Sequence, residues 1–287
     1  ARPAEFPGGL LAARERMVVI HVKRGDDQWL AEATTETSND DLVRELVRIH
    51  NLRLRLGQLV GCVRQLADHG PMKKPEDQGI DEVQDRYGGG PSQPRGENYN
   101  PDPTGARTGD APDQRPQETL RRVCDDAEAL LQPELCRRRV ALSLPMLQEK
   151  LDNIRGAVII AYPQGLPAWD TVKLTLDGEG GLEGTAAGQD ILDEAVAELW
   201  IASRPLDRSQ LLHERLGRNE KTKVVAKLQR QGGGAPAREP AVTEDERKAM
   251  MAHYFKRQEE LKRLADGDAD DYLASQWADP RGLQRSL

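Results

Sequence analysis

The run MVVIHV at residues 17–22 is a short β-branched segment, and the turn sequence KRGD at 23–26 closes it. A second run, WLAEAT at 29–34, follows almost at once. Two short apolar runs separated by a glycine-containing turn are typical of a β-hairpin. We therefore predict two antiparallel strands in this part of the chain.

Helical periodicity follows the hairpin. Ser38 and Asp41 resemble a capping box, after which apolar residues recur three and four positions apart. They are Leu42, Val43, Leu46, Val47, Ile49, Leu56, Leu59, Val60, Val63 and Leu66. Gly70 is a natural C-terminal stop. This pattern predicts a helix that is interrupted near Asn51 and packs on the hairpin.

Residues 88–117 have a different composition. They contain six glycines and six prolines, and no Val, Ile, Leu, Met, Phe or Trp. Such a segment buries too little apolar surface to offset the entropy lost on ordering. We predict a disordered insertion here.

Structure is expected to resume after this insertion. Apolar stripes predict helices over 120–131 and 143–156, and the runs AVIIAY at 157–162 and TVKLTL at 171–176 predict two further strands. The predicted fold class is α+β: a small β-grasp or ubiquitin-like sheet, split by a helical and disordered insertion and followed by an extended helical C-terminal region.

The remaining sequence predicts helices and linkers. An amphipathic helix is expected over 191–200 and a short basic helix over 220–230, and the Gly-rich stretch 231–240 predicts a linker. Thr243 and Glu246 form a second capping box, which predicts a polar helix to about Leu264.

The predicted division is 1–16 (N-terminal extension), 17–87 and 118–203 (the two halves of the α+β domain), 88–117 (insertion), 204–230 (basic helical segment), 231–240 (linker) and 241–287 (C-terminal helix and acidic tail).

Composition and motifs exclude several classes of function. The formal net charge of −7 argues against bulk nucleic-acid binding, and no run approaches the roughly 18 apolar residues of a membrane span. The Lys221-Thr222 pair lacks the glycines of a P-loop, and no histidine or cysteine pair has zinc spacing. We predict no enzyme, and no catalytic, cofactor-binding or metal-binding residue.

Two features suggest protein binding. The stretch 204–230 carries eight Lys or Arg against three acidic residues, which fits an acidic partner such as tubulin or a chaperone tail; a solvated helix face is the alternative. The candidate contacts are Arg215, Arg218, Lys221, Lys223 and Lys227. Tyr272 and Trp277, in the acidic tail, are candidate aromatic anchors; alternatively, Trp277 packs on the protein's own core.

Five long segments carry a family resemblance. They are MVVIHVKRGDDQWL at 17–30, DNIRGAVIIAYPQGLPAWD at 152–170, GTAAGQDILDEAVAELWIASR at 184–204, GRNEKTKVVAKLQRQGGGAPAREP at 217–240 and RQEELKRLADGDADDYLASQWADP at 257–280. In this order they resemble the Kurly family of cilia- and flagella-associated proteins, from about Met17 to the end of the chain.

The resemblance implies a non-enzymatic factor of motile cilia, with no catalytic or cofactor residues to carry over. It implies a role in axonemal dynein arm assembly and a location in the cytoplasm, at basal bodies and in the cilium or flagellum. The implied partners are dynein subunits or their assembly factors and chaperones. The alternative is a resident axonemal protein bound along the doublet microtubule or at a dynein base.

Overall fold

The computed structural model describes residues 17–25, 27–79, 98–178, 180–236 and 244–274, with side chains of 247–263 in the last range. The chain divides into two compact units, one ending at Pro236 and one beginning at Ala237. The predicted extension 1–16 lies outside the described residues. The division of the chain into seven segments stays a prediction.

The first unit contains a five-stranded mixed sheet. Its strands are β1 (Val18–Arg24), β2 (Asp27–Ala33), β3 (Ala197–Ile201), β4 (Arg204–Pro205) and β5 (Lys223–Arg230). They lie in the order β2-β1-β5-β3-β4, with β1 and β5 parallel and the other neighbours antiparallel. The predicted hairpin is therefore confirmed, and the last strand of the unit lies beside the first.

Eight α-helices are described, seven in the first unit and one in the second, and all follow the hairpin in the sequence. They are α1 (Asn39–His69), α2 (Gln114–Leu131), α3 (Glu134–Arg137), α4 (Leu144–Ala161), α5 (Thr171–Asp177), α6 (Ala186–Gln189), α7 (Leu212–Leu216) and, in the second unit, α8 (Glu244–Ala274). A short 3-10 turn spans Pro75–Asp77. The C-terminal helix predicted from Thr243 is confirmed in α8, which extends ten residues past Leu264.

Helix α1 contributes more residues to the core than any other element. Its 31 residues bury the predicted apolar stripe, and Gly70 ends it with a φ of 74°. The predicted interruption near Asn51 is wrong. The Asn51 amide donates to the Leu192 carbonyl and accepts from the Leu192 N–H, so this polar residue attaches the helix to a distant loop.

The strand predicted at 157–162 is wrong, because Ala157–Ala161 form the last turns of α4. Ala157 and Val158 are buried, whereas Ile159 and Ile160 are 61% and 66% exposed. A short apolar run fits a buried helix as well as a strand, and periodicity alone does not separate them.

The strand predicted at 171–176 is also wrong. Asp170 caps α5 by accepting a hydrogen bond from the Val172 N–H, and Gly178 ends the helix in the left-handed conformation. The two caps determine the conformation, although the apolar residues alternate as in a strand.

The helices predicted at 191–200 and 220–230 are strands in part. Ala197–Ile201 form β3 and Lys223–Arg230 form β5, and each buries every second residue. The two strands pair with each other, and β5 also pairs with β1 about 200 residues away. This pairing is non-local, so it is not visible in either segment alone, although the alternating apolar residues of Lys223–Arg230 already fit a half-buried strand.

The predicted disorder of 88–117 is wrong for residues 98–117, while 88–97 lie outside the described residues. Arg107 is only 4% exposed and donates to the carbonyls of Gly70 and Cys62. Asp102 accepts hydrogen bonds from the N–H groups of Thr104 and Ala106. Polar contacts order this segment, which composition did not indicate.

Candidate functional site: the open face of the sheet

Strand β5 separates its side chains by polarity. Val224, Ala226 and Leu228 pack on the core, whereas Lys223 and Val225 are exposed on the other face and Lys227 is half-buried there. Alternate residues of a strand point to opposite faces, so the lysines and Val225 share one surface. We call the sheet surface formed by Lys223, Val225, Lys227 and their neighbours on β1 and β3 the open face.

The strand register identifies those neighbours. His21 lies opposite Val225 and Lys23 opposite Lys227 on β1, while Trp200 lies opposite Lys227 on β3. The His21 ring contacts the Gln28 side-chain oxygen at 3.0 Å, and the Trp200 indole N–H donates to Glu198. The open face thus has an apolar centre at Val225, which is 52% exposed, between positively charged side chains.

Sequence analysis identified Lys223 and Lys227 but missed Lys23. Lys23 is 204 positions from Lys227 in the sequence, and only the parallel pairing of β1 with β5 brings them together. A usable signal was present in KVVAKLQR at 223–230, where alternating apolar residues are typical of a half-buried strand.

The other basic candidates, Arg215, Arg218 and Lys221, lie outside β5. Arg215 donates to the Ile201 carbonyl at 3.2 Å and is partly buried, so it holds α7 against β3. Arg218 and Lys221 are exposed in the loop that leads into β5. The candidates are therefore distributed over a helix, a loop and a strand, so the basic helix predicted over 220–230 is wrong at Lys223 and Lys227. Their role in partner binding stays a prediction.

The aromatic candidates are in the second unit. Tyr272 lies in α8, but its side chain is not among those described, and Trp277 lies outside the described residues. Their role as partner anchors stays a prediction.

A cavity of about 650 Å³ adjoins the open face at the C-terminal end of β1. Lys23, Arg24 and Lys227 contribute positive charge to its wall, and Asp27 and Asp190 contribute carboxylates. Both carboxylates face arginines: Asp27 pairs with Arg53 at 2.5 Å, and Asp190 lies 3.7 Å from Arg24. The charged side chains of the wall are thus three cations and two carboxylates, in a chain of net charge −7.

His50 forms the inner part of this wall and is 2% exposed. Its Nε2 lies 3.2 Å from the Asp190 carbonyl oxygen, and its ring stacks on Trp29. Because a carbonyl only accepts, Nε2 carries the proton of the neutral ring. Desolvation by burial lowers the pKa of His50 below its ordinary value of 6.5, and the charges of Arg24 and Arg53 act in the same direction.

We expect this histidine to make stability fall on acidification. The unfolded chain takes up its proton near pH 6.5, the folded chain only at lower pH, so stability present above about pH 6.5 is lost progressively below it. Replacing His50 with Gln should therefore flatten the dependence of the unfolding free energy on pH between about 7 and 5. His253→Gln, in α8, is the matched control. An unchanged slope in the His50 variant would contradict the assignment.

The described residues hold no group of three or more side chains arranged to bind a metal ion. Burial raises the pKa of the Cys124 thiol to about 12, so this buried thiol is not a candidate nucleophile. Among the described helices, none is long and apolar enough to cross a membrane.

Comparison with known proteins agrees with the resemblance. Residues 197–287, which include β3, β5 and α8, match the family model described as cilia- and flagella-associated protein 298. The chain is 39% identical to the protein of that name from Danio rerio and 38% identical to that from Homo sapiens; each match covers 94% of this chain and 96% of the relative. The chain belongs to the cilia- and flagella-associated protein 298 family.

A third member of the family, protein 298-B of Xenopus laevis, is 36% identical over the same shares of both chains. The family name places these proteins with cilia and flagella and states no enzymatic activity. No solved structure matches the chain.

Proposed function

We propose that this protein is a non-enzymatic adaptor that helps to assemble axonemal dynein arms for motile cilia. The observation that carries the proposal is a basic open face with an apolar centre, in a chain from a cilium-associated family. A surface of this kind suits binding to acidic proteins better than catalysis. The proposed partners are dynein subunits or their assembly factors and chaperones, met in the cytoplasm and at basal bodies.

Loss of the protein tests this proposal. Cells that lack it should still form cilia, but electron tomography should show axonemes with fewer dynein arms. Normal arm density in such cells would overturn the proposal.

The second candidate is a resident axonemal protein, bound along the doublet microtubule or at a dynein base. It is favoured by the exposed lysine of β5 and the basic loop before it, which suit the acidic surface of tubulin. Detergent extraction of isolated axonemes separates the two candidates. An assembly factor stays largely in the cell-body fraction, whereas a resident protein remains with the extracted axoneme.

We also infer a β-grasp or ubiquitin-like architecture for the sheet. The inference is supported by an N-terminal hairpin, a long helix that packs on it and a last strand parallel to the first. In this arrangement α2 to α6 form a helical insertion between α1 and β3. One side of the sheet packs on α1, and on the opposite side Lys223 and Val225 of β5 are exposed.

A further inference from the structure

Helix α8 carries an apolar stripe that is exposed to solvent. Every side chain described in it, over residues 247–263, is exposed. Its large apolar side chains recur at helical spacing, so they lie on one side of the helix. They are Met250, Met251, Tyr254, Phe255 and Leu261, each between 54% and 65% exposed. Because a helix gains most of its stability by packing an apolar face, a surface that covers this stripe would stabilise α8.

The charges on either side of the stripe are self-complementary. Residues 244–248 read EDERK, and residues 259–263 read EELKR. An antiparallel pair of such helices, centred between residues 253 and 254, meets the second sequence in reverse, as RKLEE. Opposite charges then stand at the same level at four of the five positions, and like charges at none. A second copy of this chain therefore has the charges that complement α8.

The described side chains fit the same register. Lys248, Met251, Phe255 and Glu259 follow one another three or four positions apart, so they form one row along α8. The antiparallel pair places Phe255 beside Met251 of the other copy, and Lys248 beside Glu259 of the other copy. Tyr254 meets Tyr254 at the centre, and its ring packs edge-on against Phe255 of its own chain at a centroid distance of 6.4 Å. Apolar contacts at the centre, flanked by opposite charges, are typical of paired helices.

Other arrangements of α8 match its charges less well. The ion pairs that the structure describes all lie in the first unit, so none of them occupies Lys248 or Glu259. A parallel pair in register sets Lys248 against Lys248 and Glu259 against Glu259, which is unfavourable. An anionic membrane attracts Lys248 and repels Glu259, so it matches only part of the helix.

We propose that two copies of this chain associate through α8 as an antiparallel helix pair, with Met251, Tyr254 and Phe255 at its centre and Lys248 paired with Glu259 of the other copy at both ends. The inference goes beyond the proposed function, because it names a second interaction surface whose partner is the protein itself. It rests on α8 alone and not on the open face.

Sedimentation equilibrium of the full-length protein tests the association. The wild type should be a mixture of monomer and dimer whose dimer fraction rises with protein concentration, and Phe255→Glu should raise the dissociation constant at least about tenfold. Ile160→Glu, which changes an exposed isoleucine of α4 in the first unit, is the matched control and should leave the dissociation constant unchanged. A wild type that stays monomeric up to about 0.1 mM would overturn the proposal, and so would an equal loss in the control.

Charge reversal tests the antiparallel register. Lys248→Glu and Glu259→Lys, each made alone, set like charges against each other at both ends and should weaken the dimer about tenfold. The double variant, Lys248→Glu with Glu259→Lys, restores opposite charges and should dimerise as tightly as the wild type. This recovery excludes unfolding as the cause of the loss in the single variants. Single variants that dimerise like the wild type, or a double variant that does not recover, would overturn the proposed pair.

Docking of α8 on the first unit of its own chain predicts a different result. The wild type would then remain monomeric, and Phe255→Glu would lower the melting temperature of the first unit. The proposed pair predicts that this variant dissociates the dimer and leaves that melting temperature unchanged. A lowered melting temperature with an unchanged dissociation constant would contradict the proposal.

Discussion

Replacing Asp170 with Ala should lower the unfolding free energy of the first unit by about 3–5 kcal/mol. Asp170 is fully buried, accepts hydrogen bonds from the Met72 and Val172 N–H groups, and lies 3.7 Å from the Arg107 guanidinium. The substitution leaves the Arg107 charge buried without its carboxylate and removes the cap of α5. Urea unfolding followed by near-ultraviolet circular dichroism measures the effect.

Two further variants make this test specific. Asp170→Asn keeps a side-chain oxygen for the cap but removes the charge, so its cost should be smaller than that of Asp170→Ala. Arg107→Ala combined with Asp170→Ala should cost clearly less than the sum of the single changes, because the two residues contact each other. Additive costs would contradict the pairing. A cost of Asp170→Ala below about 1 kcal/mol would show that the buried carboxylate is not needed.

Replacing Trp29 with Ala should cost a similar amount, about 3–5 kcal/mol. The indole is 1% exposed, stacks on His50 at a centroid distance of 5.8 Å and lies 5.3 Å from the Arg53 guanidinium. Truncation leaves a cavity where β2 packs on α1 and removes the ring on which both side chains rest. Thermal unfolding of the full-length chain measures the loss.

Trp29→Phe is the informative companion. The Trp29 indole N–H is buried and has no hydrogen-bond partner, so phenylalanine loses no hydrogen bond and retains an aromatic ring. It should therefore cost much less than alanine. Trp200→Ala, at a half-exposed position on β3, is the control and should have a small effect. Equal losses at positions 29 and 200 would contradict the central position of Trp29 in the core.

The N-terminal part of the fold was predictable because its signals are local. The hairpin has a glycine-containing turn between a β-branched run and a second short, largely apolar run, and α1 has a regular stripe ending at Gly70. The caps at Asp170 and Gly178 were also readable and would have corrected the strand predicted there. Their signal was outweighed by the alternating apolar residues between them.

The sheet beyond the hairpin was not predictable in the same way. Strand β5 forms because it inserts beside β1, and the free energy of that pairing depends on residues about 200 positions away. The α+β fold class is right, but several of its predicted elements are not. The two strands predicted at 157–162 and 171–176 are helical, and β3 and β5 lie in segments for which the sequence predicts helices. The order of the segment around Arg107 likewise depends on distant groups. Its guanidinium donates to the carbonyls of Cys62 in α1 and of Gly70 at the end of α1, and the composition of the segment does not reveal these contacts.

The candidate site was predictable in part. The excess of basic residues between 204 and 230 pointed to Lys223 and Lys227, since charge is visible in any conformation. The sequence does not show that these two lysines share one face of the sheet with Lys23 and with an exposed Val225. That arrangement becomes visible only from the strand register. Arg215 was selected by charge alone, although the fold uses it to hold a backbone carbonyl.

Rescue of cells that lack the protein tests the central claim, that the open face serves in dynein arm assembly. The wild type and the control Lys173→Glu with Arg122→Glu should restore the density of dynein arms measured by electron tomography. Lys23→Glu with Lys227→Glu, expressed at the same level, should leave the arms missing. Full restoration of the arms by this open-face variant would contradict the account.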